Sequence, residues 1–341
     1  SATAIYGSRG SNGVIIITTK KGRKGSRAKV SYNGSVTISQ KHKTQEVMTG
    51  DQFVDFVKSY YGEDSDAYKA LGVTENNEQK FYNTDWQKEI YQTALSFDNN
   101  VTVTGSIKNV PFRASLGATN QEGILRTSDF DRYTASLNVN PSLLEDHLKV
   151  NLSAKYMYAK TTYADGGAVG AAVGMDPTKP VRSSDARYKN FGGYFQWLQN
   201  GSVLGDSQWP ETKIDLATAN PVSMLDLKND VAKSHAFVGN MELDYQVHGF
   251  EDLRLHMNMG ADVSGGRQDT EVTPASGTNT ETGGGATLPT YRAIPRGRRS
   301  YTRTVLIIRR EESRYLAQSG KLSVLVLTQR TPWGKNCHRG V

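Results

Sequence analysis

The sequence predicts an all-β protein: a transmembrane antiparallel β-barrel, present in part, with about seven strands. Three observations predict it. Apolar and polar residues alternate with a period of two over stretches of roughly 9–11 residues, the length of a tilted bilayer-crossing strand. The connections between these stretches are alternately short and long. No apolar run approaches the ~20 residues of a spanning helix; 14–17 is typical of the longest.

The first element is a turn and a strand. Gly7, Gly10 and Gly13 lie in a small polar loop, where glycine lets the backbone turn tightly. The β-branched run 14–19 follows with the composition and length of a buried strand, and Lys20-Lys21-Gly22 stops it. A nucleotide loop does not fit, because a Rossmann fingerprint has other spacing and leads into a helix. The 23–29 stretch, rich in Lys, Arg and Gly, reads as a linker.

Alternation then begins. Val30, Tyr32, Gly34, Val36 and Ile38 fall on one face, with serines, threonines and asparagine on the other. The pattern recurs around 101–107, 112–118, 132–139, 148–158, 237–247 and 253–263. Short connections are expected near 109–111, 141–147 and 249–252, and longer ones over 40–99, 121–130 and 161–234. A membrane barrel shows this asymmetry of turns and loops. A soluble antiparallel sheet or sandwich also alternates. Its strands average nearer 5–6 residues, however, and loops of dozens of residues are unusual in a compact domain.

The first long connection carries helical signals. Thr49 or Asp51 can cap a helix whose stripe is Phe53, Val54, Phe56, Val57 and Tyr60. A second short helix is expected near 84–93, through Asp85 and Trp86. The fifth connection gathers Tyr188, Phe191, Tyr194, Phe195, Trp197 and Trp209 among Gly and Asn. Aromatic faces beside amides suit sugar rings or peptides, so Tyr194, Phe195, Trp197 and Trp209 are the candidate substrate or partner residues. The competing reading packs them on the loop itself.

The net charge of +7 is unevenly placed. Residues 285–341 hold 12 Lys and Arg against two Glu, whereas 1–284 hold 29 basic and 32 acidic residues. From about Thr282 the alternation stops and arginines multiply, including Arg309-Arg310. One of that pair would face lipid at ~2–4 kcal/mol mid-membrane. We therefore expect 281–341 to be a basic tail foreign to the rest, translated out of frame, disordered, or a nucleic-acid-binding arm. Its aromatics are too sparse for base stacking, so no nucleic-acid partner is expected.

No catalytic constellation stands out: the six histidines are far apart in sequence, and neither a metalloprotease pair nor a nucleophile elbow occurs. No enzyme activity, metal or cofactor is expected. The lone Cys337 excludes an internal disulfide. The chain opens mid-motif without Met, so we expect that its true beginning is missing.

The opening string SATAIYGSRGSNGVIIITTKKG closely resembles the end of the plug domain in SusC/RagA-type TonB-dependent outer-membrane transporters. TGDQFVDFV, NTDWQKEIYQTA, VTVTG, ATNQEGIL and SDFDRYTASLNVN resemble the stretch after the plug, so the likeness spans about 1–280. It implies a plug end at 1–22, a linker at 23–29 and the N-terminal part of a 22-stranded plugged barrel at 30–280. It further implies uptake of oligosaccharides or peptides with a SusD-like lipoprotein lid and energy from the TonB–ExbB–ExbD complex. The site would be the outer membrane of a Gram-negative, Bacteroidetes-like cell, with membrane lipid against the wall. The plug motif residues are Tyr6, Gly7, Arg9, Gly10, Asn12 and Gly13; Tyr6, Arg9 and Asn12 could face substrate, though the favoured reading has them pack and hydrogen-bond to the barrel wall. Seven strands cannot close a barrel, so this chain alone should not transport. The alternatives are a siderophore or cobalamin receptor of the wider TonB-dependent group, and a soluble or surface β-rich binding module with a basic tail.

Overall fold

The computed structural model describes residues 20, 22–75, 78–198, 214, 216–250, 253–273 and 275–278, together with the backbone of 290–308 and 323–329. The plug motif residues Tyr6, Gly7, Arg9, Gly10, Asn12 and Gly13 lie outside these, as does Trp209.

One antiparallel sheet dominates. Its strands are β1 (Lys29–Ser39), β4 (Ala94–Ile107), β5 (Val110–Glu122), β6 (Asp129–Val139), β8 (Leu148–Thr162), β9 (Lys228–Gln246) and β10 (Leu253–Val272), paired in that order. These are the seven strands expected from alternation. Two begin earlier than expected, β4 at Ala94 and β9 at Lys228. Asp98, Asn99 and Asn100 interrupt the apolar pattern of β4, yet the backbone ladder runs straight through them, Asp98 against Ser35 and Asn100 against Asn33. Backbone pairing continues where side-chain contrast fades.

The register aligns the apolar rows. Val101 lies between Tyr32 and Leu116, Leu116 between Val101 and Ala135, and Tyr156 between Ala135 and Phe237. Further on, Phe237 sits opposite Val263 and Met241 opposite Met259. One face of the sheet is therefore apolar from β1 to β10. That face is open: Leu116 is 66% exposed, Tyr133 48% and Phe237 40%. A soluble sheet buries its apolar face against a second layer. Here none of the main hydrophobic cluster comes from it. Glycines on this face are covered by neighbouring rings; Tyr32 lies over Gly34 and Phe237 over Gly239.

The opposite face is polar and hydrogen-bonded. Ser115 and Ser136 hydroxyls meet at 2.6 Å, Thr119 donates to Asp98 at 2.9 Å, and Asn151 donates to Glu242 at 3.1 Å. Apolar outward and polar inward is the pattern of a membrane barrel wall. No helix among the described residues is long and apolar enough to cross a membrane, whereas these strands of 11–20 residues exceed the ~9–11 a tilted crossing needs.

At the turn end, Lys108 and Asn109 join β4 to β5 and a short link carrying β7 (Ser142–Leu143) joins β6 to β8. At the other end the first and fifth connections build a loop layer. It holds α1 (Gly50–Tyr61), α2 (Asp66–Lys69), a small hairpin β2 (Val73–Glu75) and β3 (Glu78–Lys80), α3 (Trp86–Ile90), α4 (Gly167–Gly174) and α5 (Pro221–Asp226). Both expected helices are present. Thr49 caps α1 in a capping box: its hydroxyl accepts from Gln52 N at 3.3 Å and Gln52 Oε1 accepts from Thr49 N at 3.0 Å.

The sheet also continues where the sequence reading ends it. β11 (Thr290–Ile308) pairs with β10, and β12 (Ser323–Gln329) pairs with β11. The run 301–308, β-branched and aromatic around its one arginine, Arg303, has strand propensity.

Candidate functional site

The hydrophobic core of the described residues lies in the loop layer. Trp86, Ile90, Ala168, Tyr194, Phe195 and Leu225 are all buried in it. Polar links knit the two long connections together. Tyr82 N donates to Thr178 O at 3.0 Å, Thr84 N to Pro177 O at 2.9 Å, and Trp86 Nε1 to Asp176 O at 2.9 Å. Gly50, at the start of α1, is buried against the Tyr82 carbonyl, where any side chain would collide. Its N–H donates to Asn83 Oδ1 at 2.8 Å.

Between the two connections lies a groove of about 760 Å³. Its apolar walls include Met48, Phe53, Trp86, Met175 and Trp197. Its polar rim includes Gln45, Asn83 and Gln87 with the acids Glu46, Asp85 and Asp176, and among the described residues no Lys, Arg or His lines it. Gln87 holds one edge in shape by bracketing the Gln45 backbone: its amide donates to Gln45 O at 2.7 Å and accepts from Gln45 N at 2.9 Å.

Lys179 sits behind the groove. Its side chain is 4% exposed, and its ammonium donates to the carbonyls of Ala70 and Gly72 at 2.5 Å each. It also lies 4.6 Å from the Trp197 ring centroid and 5.4 Å from that of Phe195. Asp176 is 3.9 Å away. Burial pulls the Lys179 pKa down to about 8, opposed by the Asp176 charge.

Of the three candidate aromatics among the described residues, Tyr194, Phe195 and Trp197, only Trp197 lines the groove. Tyr194 and Phe195 are 2% and 3% exposed and offer no face to a ligand. Gly192 and Gly193, at φ 66° and 78°, make the turn that sends them inward. The Tyr194 hydroxyl is spent on Asp226, to which it donates at 2.7 Å, and burial raises its pKa. Tyr188 and Phe191 are buried too, so these four aromatics pack the loop on itself. Periodicity could not separate the two roles, because a loop's own core and a binding platform draw on the same residue types.

A second cavity, about 550 Å³, opens at the short-turn end and is lined by Lys24, Asp146, Lys149, Glu242, Asp244 and Arg254, among others. Asp146 pairs with Lys24 of the linker at 3.1 Å. The Ser142 and Lys24 hydrogen bonds and the Lys24 charge hold the Asp146 carboxyl below its usual range. The histidines are not all apart: His147 Nε2 and His248 Nδ1 approach to 3.3 Å. Their sequence separation hides this, and the pairing of β8 with β9 creates it. No group of three His, Cys, Asp or Glu able to hold a metal occurs among the described residues.

No protein-family model matches the chain. The TonB-dependent receptor SusC of Bacteroides thetaiotaomicron is 46% identical over 277 residues, 81% of this chain and 27% of that protein. TonB-dependent receptor P26 of Formosa agariphila is 28% identical over 246 residues, 72% of this chain and 22% of its own length. The chain thus spans about a quarter of the curated relatives it matches. Among solved structures, the RagAB peptide transporter superposes with a TM-score of 0.59 at 22% identity, covering 89% of this chain and 34% of that one. The RagAB peptide importer in its closed-closed state gives a TM-score of 0.56 at 21% identity with the same coverages. The relatives are named as receptors, and the structural neighbours as a transporter or importer; none is named as an enzyme. With an open apolar face, a hydrogen-bonded polar face and this identity, the chain belongs to the SusC/RagA-type TonB-dependent receptors and forms part of their barrel wall.

Proposed function

We propose that this chain is the plug end and first wall strands of an outer-membrane importer of oligosaccharides or peptides. In this reading it works with a SusD-like lipoprotein and is driven by the TonB–ExbB–ExbD complex. The observation that carries it is the 46% identity to SusC over 277 residues. The apolar sheet face meets lipid, the polar face lines the lumen, and the loop layer faces the cell exterior. On that arrangement residues 1–22 end the plug and 23–29 link it to the wall.

The groove beside Trp197 supports a neutral glycan over an anionic one. A ring platform beside amides and carboxylates binds hydroxyl-rich rings, and the lining acids repel anions. Residues 281–341 are read as foreign to the wall. The composition supports this: 285–341 hold 12 Lys and Arg against two Glu, whereas 1–284 hold 29 basic and 32 acidic residues.

Disrupting the encoding gene in its host and scoring growth on neutral oligosaccharides and on peptides tests the reading. Loss of growth on either class, with co-purification of a lipoprotein partner, is expected. Unchanged growth on both classes overturns it.

A further inference from the structure

We propose that His147 and His248 form a binding site for a divalent transition-metal ion, which staples two adjacent turns at the short-turn end of the sheet. The topology itself creates the juxtaposition. β8 and β9 are antiparallel and pair Leu148 with Tyr245. His147, the residue before β8, and His248, the second residue beyond β9, therefore come together, and Gln246 N donates to His147 O at 2.8 Å.

The donor geometry suits such an ion. His147 Nδ1 lies 2.9 Å from the Leu144 carbonyl, which can only accept, so Nδ1 carries the proton and Nε2 presents its lone pair. That carbonyl contact orients the ring as a supporting group orients a ligating histidine. Nε2 of His147 and Nδ1 of His248 stand 3.3 Å apart, with ring centroids 4.7 Å apart at 67°. Two metal–nitrogen bonds of about 2.0–2.1 Å at a tetrahedral angle span about 3.3 Å. His248 is exposed and His147 half-buried, so an ion can enter from the His248 side and water can complete its shell. Loading shifts the single ring proton of neutral His248 from Nδ1 to Nε2 through solvent, and the metal takes the freed Nδ1 lone pair.

The local backbone supplies a second observation. Leu144, Glu145 and Asp146, three consecutive residues before His147, have φ of 53°, 51° and 71°. Non-glycine residues adopt this region at a cost, and such strain gathers at ligand clamps. The Lys24–Asp146 pair and the Leu144 carbonyl hold the turn in that form.

Imidazole pairs favour copper, nickel and zinc over magnesium or calcium. Cu²⁺ is the probe, added to the full detergent-solubilised chain carrying Cys337→Ser and His338→Ala, so that the tail supplies no thiol or imidazole. Electron paramagnetic resonance is expected to show one ion per chain with two imidazole nitrogens. His147→Ala and His248→Ala should each weaken binding more than tenfold and leave one nitrogen. His235→Ala and His256→Ala should change neither. Without the alanine variants, Zn²⁺ should protect His147 and His248 together from diethyl pyrocarbonate, read by mass spectrometry. Binding undiminished in both alanine variants, or Zn²⁺ protection absent at the pair, overturns the proposal.

Discussion

The ammonium of Lys179, on a side chain 4% exposed, lies 4.6 Å from the centre of the Trp197 ring. A buried cation thus backs the aromatic that lines the groove between the two long connections. The same ammonium is tied to the carbonyls of Ala70 and Gly72, which belong to the other long connection. Trp197 is held in place by a residue that itself bridges both loops.

This arrangement predicts a pH dependence. Lys179 titrates near 8 in the folded chain and near 10.5 when exposed. Between these values the unfolded chain holds a proton that the folded one has lost, so stability rises with pH. Below about 8 both states are protonated and the dependence vanishes. The thermal midpoint of the loop layer, followed by tryptophan fluorescence, should rise from pH 8 to 10. In Lys179→Met that rise should be absent.

The face assignment predicts an asymmetry between neighbours. Leu116→Arg places a charge on the apolar face and should cost about 2–4 kcal/mol of stability in a bilayer. Ser115→Arg, on the polar face, should cost much less. Urea titration of the protein in lipid vesicles separates the two, and equal costs would refute the lipid-facing assignment.

Asp226 joins three parts of the chain. It pairs with Arg126 of the β5–β6 connection at 3.0 Å, accepts from Tyr194 at 2.7 Å and stands 4.0 Å from Arg182. Asp226→Ala leaves a part-buried tyrosine hydroxyl and a guanidinium without their acceptor, and should cost about 1–3 kcal/mol. Tyr194→Phe should cost only about 1 kcal/mol. Amide hydrogen exchange around 182–198 and 220–227 should accelerate in the first variant more than in the second.

Thr49→Ala removes the hydroxyl half of the capping box and should destabilise α1 by about 1 kcal/mol. Exchange of the first amides of α1 should quicken, while that of the sheet stays unchanged.

Much of this protein is decided by local rules. A period of two needs only adjacent residues, so Tyr32, Val101, Leu116, Tyr133 and Phe237 declare their face before any partner strand is known. Thr49 and Asp85 announce their helices, since a cap acts within one turn. The opening string and the stretches after it carry the family. What the sequence left open depends on contacts between distant segments. Whether Tyr194 and Phe195 meet a ligand or a core turned on how the first and fifth connections pack, and packing turned them inward. Lys179 reads as an ordinary surface lysine until the Ala70 and Gly72 carbonyls close over it. His147 and His248 meet only because β8 and β9 pair in one register. Alternation sets which way a side chain points; only the folded chain decides what stands opposite it.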